Sequence, residues 1–130
     1  MRRWAAPIVL VAAMLNLAAC SGPDEAASTE VIDRFHTALN AGDWPAIGGV
    51  LARSARNLRP GGATARAFRA ITARRGQYVG GYIASITAAG GHTTVAWSAR
   101  YERGAVSELF VLIPEDGGTK IESYTDNFGH

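Results

Sequence analysis

Hydrophobic and polar positions divide the chain into parts with different periods. An apolar run from Trp4 to Ala19 comes first, and the small, polar segment 21–29 follows it. Apolar residues then recur every three or four positions as far as Arg75, which is the period of an amphipathic helix. From Gln77 onward they alternate with polar residues between glycine turns, as in β-strands. The pattern therefore predicts a leader, a flexible tether, a set of helices and a sheet.

The helical part predicts three helices. The first is capped by Ser28 or Thr29 and stops at Gly42. The second has Asp43 as its N-cap and ends before the break at 59–62, and the third covers 63–75. The predicted apolar positions are Val31, Phe35 and Leu39 in the first helix, Trp44, Ile47, Val50 and Leu51 in the second, and Ala67, Phe68 and Ile71 in the third.

Four strands are predicted after the helices, at 77–88, 92–102, 105–113 and 119–125. The turns between them are short, so neighbouring strands should be antiparallel. The third strand is apolar on both faces, which favours a central position, and the pair Gly80-Gly81 indicates a bend or bulge. The predicted fold class is α+β, with N-terminal helices packed on one face of a curved four-stranded antiparallel sheet.

The apolar run has the features of a secretory signal: Arg2 and Arg3 precede it, and it is too short for a permanent membrane span. It ends in Leu17-Ala18-Ala19-Cys20. This sequence resembles the lipobox of bacterial lipoproteins, which implies a diacylglyceryl group on the Cys20 thiol and cleavage just before it. The alternative is a plain secretory signal with an incidental cysteine.

The expected organisation is a signal peptide at 1–19, a lipidated cysteine and tether at 20–29, and one domain at 30–130. The expected location is the bacterial cell envelope, lipid-anchored. In lipoproteins of bacteria resembling the enteric ones, an aspartate after the cysteine favours the inner membrane. This chain has Ser21 there, so the resemblance favours the outer membrane, on its periplasmic side, over the inner membrane. One cysteine in the chain leaves no intramolecular disulfide partner.

Charge changes little in this picture. The 130-residue chain has a formal charge of +2, from 13 Lys+Arg against 11 Asp+Glu. Removal of the leader takes away Arg2 and Arg3, so the mature protein is formally neutral. The basic pI is therefore no argument for nucleic-acid binding. Seven arginines lie between residues 53 and 75. They indicate either a solvated helix surface or a face toward anionic lipid head groups.

The body of the chain, about residues 30–126, resembles NTF2-like and cystatin-like proteins, in particular small envelope proteins of that class. The shared features are Ala-Gly-Asp-Trp at 41–44, Arg75-Gly76 before the sheet, Ser-Glu-Leu-Phe at 107–110, and an Asp-Gly-Gly turn before Lys120-Ile121. The resemblance implies a cone that can bind a small molecule. It also implies that some relatives are isomerases or dehydratases and that the exposed sheet face often forms dimers.

Residues with suitable chemistry are present, but their spacing selects no catalytic set. They are Asp33, His36, Tyr78, Tyr82, Tyr101, Glu108 and Asp126. Asp33 and His36 are expected on a solvated helix side. Glu108 is expected to pair with Arg100 or to face outward, the alternative being a buried carboxylate that acts as a base. The histidines at 36, 92 and 130 lack metal-ligand spacing, so no metal or cofactor is expected.

The sequence therefore favours a non-enzymatic envelope lipoprotein that binds a protein partner or a small apolar ligand. Two alternatives remain open: a small enzyme of isomerase or dehydratase type that uses the cone, and a subunit of an envelope assembly, with a homodimer through the sheet face as one form.

Overall fold

The structure, a computed structural model, describes residues 22–56 and 62–127, so Cys20 and the lipobox residues Leu17, Ala18 and Ala19 lie outside the described residues. The helices are α1 (Glu25–Ala41), α2 (Trp44–Val50) and α3 (Ala63–Arg75), with a 3-10 turn at Arg53–Ala55. The strands are β1 (Tyr78–Ala89), β2 (His92–Tyr101), β3 (Gly104–Glu115) and β4 (Gly118–Asp126). No described helix is long and apolar enough to cross a membrane.

The four strands form one antiparallel sheet in the order β1-β2-β3-β4. The helices cover one face of it, which confirms the predicted α+β class. Strand β3 lies between β2 and β4, as its two apolar faces predicted. On the covered face, the four alternate residues of β2 from Val95 to Tyr101 are buried, also as predicted.

Helix α1 begins earlier than the sequence predicted. Its N-cap is Asp24, whose side chain accepts a hydrogen bond from the Ala27 backbone N–H at 2.9 Å. Ser28, one of the two predicted caps, is instead buried within the helix, and its hydroxyl donates to the Asp24 carbonyl. Residues 25–29 therefore belong to α1 and not to the tether, because an aspartate upstream satisfies the free N–H groups of the first turn.

The second helix is shorter than predicted. It is capped by Asp43 with Pro45 in its first turn, as expected, but it ends at Val50. Leu51 is extended and forms a parallel bridge with Ile121 of β4, so the chain leaves the helix to join the edge of the sheet. Helix α3 has the predicted bounds, but Ala65 is buried and Ala67 is exposed.

The core is aromatic at its centre. Phe35 of α1 is buried, and its ring centroid lies 5.3–5.6 Å from the rings of Phe68, Phe110 and Tyr124. These are distances typical of favourable aromatic pairs. Strands β3 and β4 thus meet α1 and α3 through one cluster of rings.

Three irregularities bend the sheet. Two lie in β1, one between Tyr78 and Gly80 and one between Ile83 and Ser85, so the predicted bend at the glycine pair is confirmed. The third lies in β4: Val111 pairs with Ser123 and Leu112 with Ile121, so Glu122 is an extra residue on that strand. An inserted residue shifts the alternation of faces by one position. Tyr124 is consequently on the covered face.

Candidate functional site

Glu108 lies at the centre of the covered face of the sheet. It alternates with Val106, Phe110 and Leu112, which are all buried, and only 1% of its own surface is exposed. The expected pair with Arg100 is wrong, because Arg100 is exposed and lies opposite Ala105 in the register of β2 and β3. The expected outward position is also wrong. Glu108 and Phe110 are two residues apart in β3, so both side chains point to the covered face.

Three side chains contact the buried carboxylate. His36 Nε2 lies 2.8 Å from Oε1, and the hydroxyls of Tyr101 and Tyr124 donate to Oε2 at 2.7 and 2.5 Å. An ionised carboxylate only accepts hydrogen bonds, and these donors come from α1, β2 and β4. Burial of a carboxylate is costly unless it is hydrogen-bonded, and this set supplies the compensation.

His36 is buried, with 1% of its surface exposed, so its expected place on a solvated side of the helix is wrong. It follows Phe35 on the face of α1 that also carries Ile32 and Leu39, whereas Asp33 is exposed. Nε2 donates to Glu108 only if it carries the ring proton. Among the described residues, the buried Nδ1 on the other side of the ring has no hydrogen-bond partner.

Tyr78 covers the other side of the imidazole. The two rings are stacked, with centroids 3.7 Å apart and planes inclined by 5°. The Tyr78 hydroxyl accepts a hydrogen bond from Trp97 Nε1 at 3.2 Å. Gly81 makes this arrangement possible: a Cβ there would lie 2.8 Å from the Tyr78 hydroxyl and would also overlap Trp97 Nε1.

The two tyrosines bound to Glu108 are held in their protonated form. Burial raises the pKa of Tyr101 and of Tyr124 far above 10, and the negative charge of Glu108 raises both further. A phenolate beside a buried carboxylate would place two negative charges in a medium of low dielectric. Both hydroxyls therefore remain hydrogen-bond donors throughout the physiological pH range.

A cavity of about 560 Å³ lies between α3 and β4. Its lining includes the apolar side chains Leu51, Phe68, Ile71 and Ile121 and, further along β4, Tyr124 and Asp126. Tyr124 is common to the cavity and the buried carboxylate, because it is one of the lining residues and its hydroxyl donates to Glu108. Asp126 lies directly opposite Glu108 in the register, so both carboxylates are on the covered face.

The structure thus brings together five of the seven residues singled out by their chemistry: His36, Tyr78, Tyr101, Glu108 and Asp126. Asp33 and Tyr82 are exposed and lie elsewhere, Tyr82 with 65% of its surface exposed. Tyr124 was missed, because alternation counted from buried Ile121 places it on the outer face unless the extra residue Glu122 is known. The buried position of Glu108 had a signal in the sequence, because Glu108 stands two residues before Phe110 and therefore on the same face of the strand.

Other candidate groups do not converge. His92 pairs with Glu122 at 3.2 Å, and His130 lies outside the described residues. Within the described ranges, no three metal-ligating side chains form a cluster. The arginines are divided among local contacts: Arg53 binds Asp116 at 2.8 Å, Arg69 lies over the ring of Trp44, and Arg56 donates to the Leu51 carbonyl.

Comparison with known proteins supports the fold alone. No protein-family model matches the sequence, and no curated protein matches it significantly. A solved NTF2-like protein of unknown function from Shewanella baltica OS155 is similar with a TM-score of 0.56 and 18% identity, over 78% of this chain and 91% of that chain. Another, from Cytophaga hutchinsonii ATCC 33406, has a TM-score of 0.42 and 16% identity, over 76% and 87%. The chain has an NTF2-like α+β fold.

Proposed function

We propose that this protein is a non-enzymatic module of the bacterial cell envelope that binds a small, partly apolar ligand in the cavity between α3 and β4. The observation that carries the proposal is the cavity itself, with apolar side chains along its length and Tyr124 and Asp126 toward one end. Small-molecule sites typically combine a mostly apolar lining with a few fixed polar groups.

The contacts of Glu108 favour binding over catalysis. A general base must reach the proton that it removes, within about 3 Å or through one water. The Glu108 carboxylate is enclosed, and its oxygens already accept hydrogen bonds from His36, Tyr101 and Tyr124. Its contribution in this proposal is to hold the Tyr124 ring rigidly at the cavity wall, which lowers the entropic cost of binding.

Filling the cavity tests the binding proposal. Ala67 is exposed on α3 and lines the cavity, so Ala67→Trp should occupy part of it without disturbing the core. Ala73→Trp, exposed on the same helix and outside the cavity lining, is the control. With cyclohexanol as probe and ligand-observed NMR as readout, the wild type and the control should bind, and Ala67→Trp should lose at least about tenfold in affinity. Equal binding by all three proteins contradicts the proposal.

The proposal includes the lipid anchor on Cys20. Since α1 is capped by Asp24, only residues 21–23 separate its N-terminus from the cysteine. Three residues span at most about 11 Å, so the domain would lie against the head groups. Cys20→Ala should move the protein from the membrane fraction to the soluble fraction, with Ser21→Ala as the control. Retention of Cys20→Ala in the membrane contradicts the anchor.

A second function, proton-transfer catalysis, is favoured by one observation: the carboxylate of Asp126 lies on the covered face beside Tyr124 and the cavity. There it could abstract a proton next to a carbonyl group, as an isomerase requires. The test is hydrogen–deuterium exchange at the α-carbon of cyclohexanone, with Asp126→Asn and the exposed Asp33→Asn compared. A wild-type rate equal to the buffer rate rejects this function.

The uncovered face of the sheet supports a second copy of the chain as a partner. Tyr82 and Leu109 are exposed there, with 65% and 42% of their surfaces accessible. Four strands of 9–12 residues present roughly 600 Å², which approaches the ~800 Å² per partner of a stable interface. The centre of this face, around Ala96, Ser98 and Leu109, is uncharged, while Arg100 and the His92–Glu122 pair lie toward its ends. The centre can therefore meet its own copy without like-charge repulsion.

A further inference from the structure

Strand β1 is one of the two edges of the sheet, and most of this edge is open. The opposite edge, β4, is partly covered: the Ala52 N–H donates to the Ile121 carbonyl at 2.8 Å, next to the bridge between Leu51 and Ile121. On β1 the Asn40 side chain has the same role at the first residue, where it bonds the N–H and the C=O of Tyr78 at 2.8 and 2.9 Å. After Tyr78, no hydrogen bond among the described residues joins a backbone group of β1 to an atom outside the sheet.

The sequence of β1 does not protect this edge. Natural edge strands are usually protected against pairing by charged side chains, by proline or by bulges. No charged residue and no proline lies within β1, whereas β4 carries three charged residues. The two irregularities of β1 lie before Ser85, and from Ser85 to Ala89 its pairing with β2 is continuous. The second half of the strand therefore lacks all three kinds of protection.

Ile86 and Ala88 provide the free backbone groups of this half. Opposed residues in an antiparallel ladder alternate between hydrogen-bonded and non-hydrogen-bonded pairs. Ala89 and His92 close the two-residue turn between β1 and β2, so they form a bonded pair. Ile86 and Ala88 are then the non-bonded positions, and their N–H and C=O groups are directed away from β2. This arrangement fits the main chain of another extended segment.

The side chains beside the open edge define the chemistry of a suitable partner. On the covered face, Ile83 and Ile86 are only half-buried, so apolar surface remains accessible there. On the uncovered face, Ser85 and Thr87 are exposed. A strand added to this edge has the same alternation of faces. Its side chains should therefore be apolar where they cover the isoleucines and hydroxyl-bearing on the other face.

We propose that the edge of β1 from Ser85 to Ala89 binds an extended, uncharged peptide segment of a partner protein, with alternating apolar and hydroxyl-bearing side chains, as an additional strand of the sheet. The length of the edge favours a peptide over a second copy of the chain. About 17 Å of edge presents roughly 170 Å², far below the ~800 Å² per partner of a stable dimer. Peptides that add a strand obtain affinity from main-chain hydrogen bonds and specificity from alternate side chains. The cavity lies at β4, on the opposite side of the sheet, so this inference is independent of the ligand proposed there.

Two peptides test the inference. The probe is the peptide Thr-Val-Thr-Val-Thr with a fluorophore at its N-terminus and an amidated C-terminus, and its control is the same peptide N-methylated at every residue. Fluorescence anisotropy measures binding to the full-length lipidated protein in nanodiscs, with empty nanodiscs as the blank. The unmodified peptide should bind at least about tenfold more tightly, because the N-methylated peptide has no backbone N–H to donate. Equal affinity, or binding by neither peptide, overturns the inference.

A variant of Ala88 connects binding with the edge. Ala88→Pro removes one outward N–H without loss of a bond to β2, since proline is tolerated on edge strands, and Ala88→Val, which keeps the N–H, is the matched control. Ala88→Pro should weaken binding of the probe by at least about tenfold, and Ala88→Val by less than about threefold. If Ala88→Pro does not fold, as judged by circular dichroism, the two peptides still decide. Unchanged affinity in folded Ala88→Pro overturns the inference. A lower sedimentation coefficient of Ala88→Pro without peptide would assign the edge to a second copy and overturn the peptide as its occupant.

Discussion

At the scale of single residues, the core of this protein is built around one buried carboxyl group, that of Glu108. Glu108 is as buried as the aromatic side chains around it, and hydrogen bonds from three elements compensate for its lost hydration. The sequence alone showed that Glu108 lies on the same face of its strand as Phe110. Its partners were not visible there, because which donors surround a residue depends on how α1 and β4 pack against β3.

Removal of one donor should therefore be costly. In Tyr101→Phe, Glu108 loses a charge-assisted hydrogen bond in a buried site, and the free energy of unfolding should fall by about 1.5–3 kcal/mol. Tyr82→Phe is the matched control, since the Tyr82 side chain is exposed, and its stability should change by less than about 0.5 kcal/mol. Urea denaturation of both variants measures the difference. A loss in Tyr101→Phe no larger than in the control contradicts the proposed stabilising role of the network.

The two tyrosines should also make the fold sensitive to alkali. Their pKa is 10.0 when unperturbed and higher in the folded protein, so above about pH 10 the unfolded state loses protons that the folded state keeps. Their contribution to stability is complete below that pH and is lost as the pH rises, at up to about 1.4 kcal/mol per pH unit for each tyrosine. Urea midpoints between pH 9 and 11.5 should fall less steeply in Tyr101→Phe. Parallel curves contradict this assignment.

At the scale of elements, the periodicity of the chain predicts three helices and four strands at nearly their observed positions. The regular elements are predictable because helix and strand periods are local properties of the sequence. The extra residue Glu122 is not, since a bulge is fixed by pairing with another strand. That one residue turns Tyr124 toward the core, and the candidate site was incomplete without it. Local signals also placed the start of α1 too late. Asp24, Ser28 and Thr29 can each cap a helix, and the structure uses Asp24.

The cap of α1 distinguishes the two possible starts of the helix. Asp24→Ala removes the side chain that accepts from the Ala27 N–H and should lower the free energy of unfolding by about 1 kcal/mol. Thr29→Ala, at a cap that the sequence alone would allow, should change it by less than about 0.5 kcal/mol, because Thr29 lies inside the helix. The two unfolding curves, measured side by side, should separate. A larger loss in Thr29→Ala would move the helix start back to residue 30.

The glycine pair in β1 offers a comparison of two neighbouring positions. A methyl group at Gly81 would overlap Trp97 and the Tyr78 hydroxyl, whereas the same group at Gly80 meets no atom within 4 Å. Gly81→Ala should therefore destabilise the fold by about 1–3 kcal/mol, and Gly80→Ala should be neutral or slightly stabilising. Thermal unfolding of the pair measures this. Equal effects would mean that Tyr78 does not need the space beside Gly81.

At the scale of the whole molecule, the proposed functions use different surfaces. The short segment 21–23 would hold the N-terminus of α1 near the lipid, the cavity lies between α3 and β4, and the uncovered sheet face is on the side away from the helices. A second copy on that face would leave both cavities uncovered. Ligand binding and self-association should therefore be separable by mutation.

The proposed dimer through the uncovered sheet face can be tested by mutation. Leu109→Glu places a charge in the middle of β3 on the uncovered face, opposite Thr125 of β4. In a two-fold dimer the same residue is altered in both copies, so two buried carboxylates would approach each other and the dimer should weaken by at least about tenfold. Thr37→Glu, exposed on α1, is the matched control. Sedimentation of the detergent-solubilised protein should give a monomer for Leu109→Glu alone, with cyclohexanol binding retained in both variants. The same sedimentation coefficient for Leu109→Glu and the wild type would exclude this face as the dimer interface.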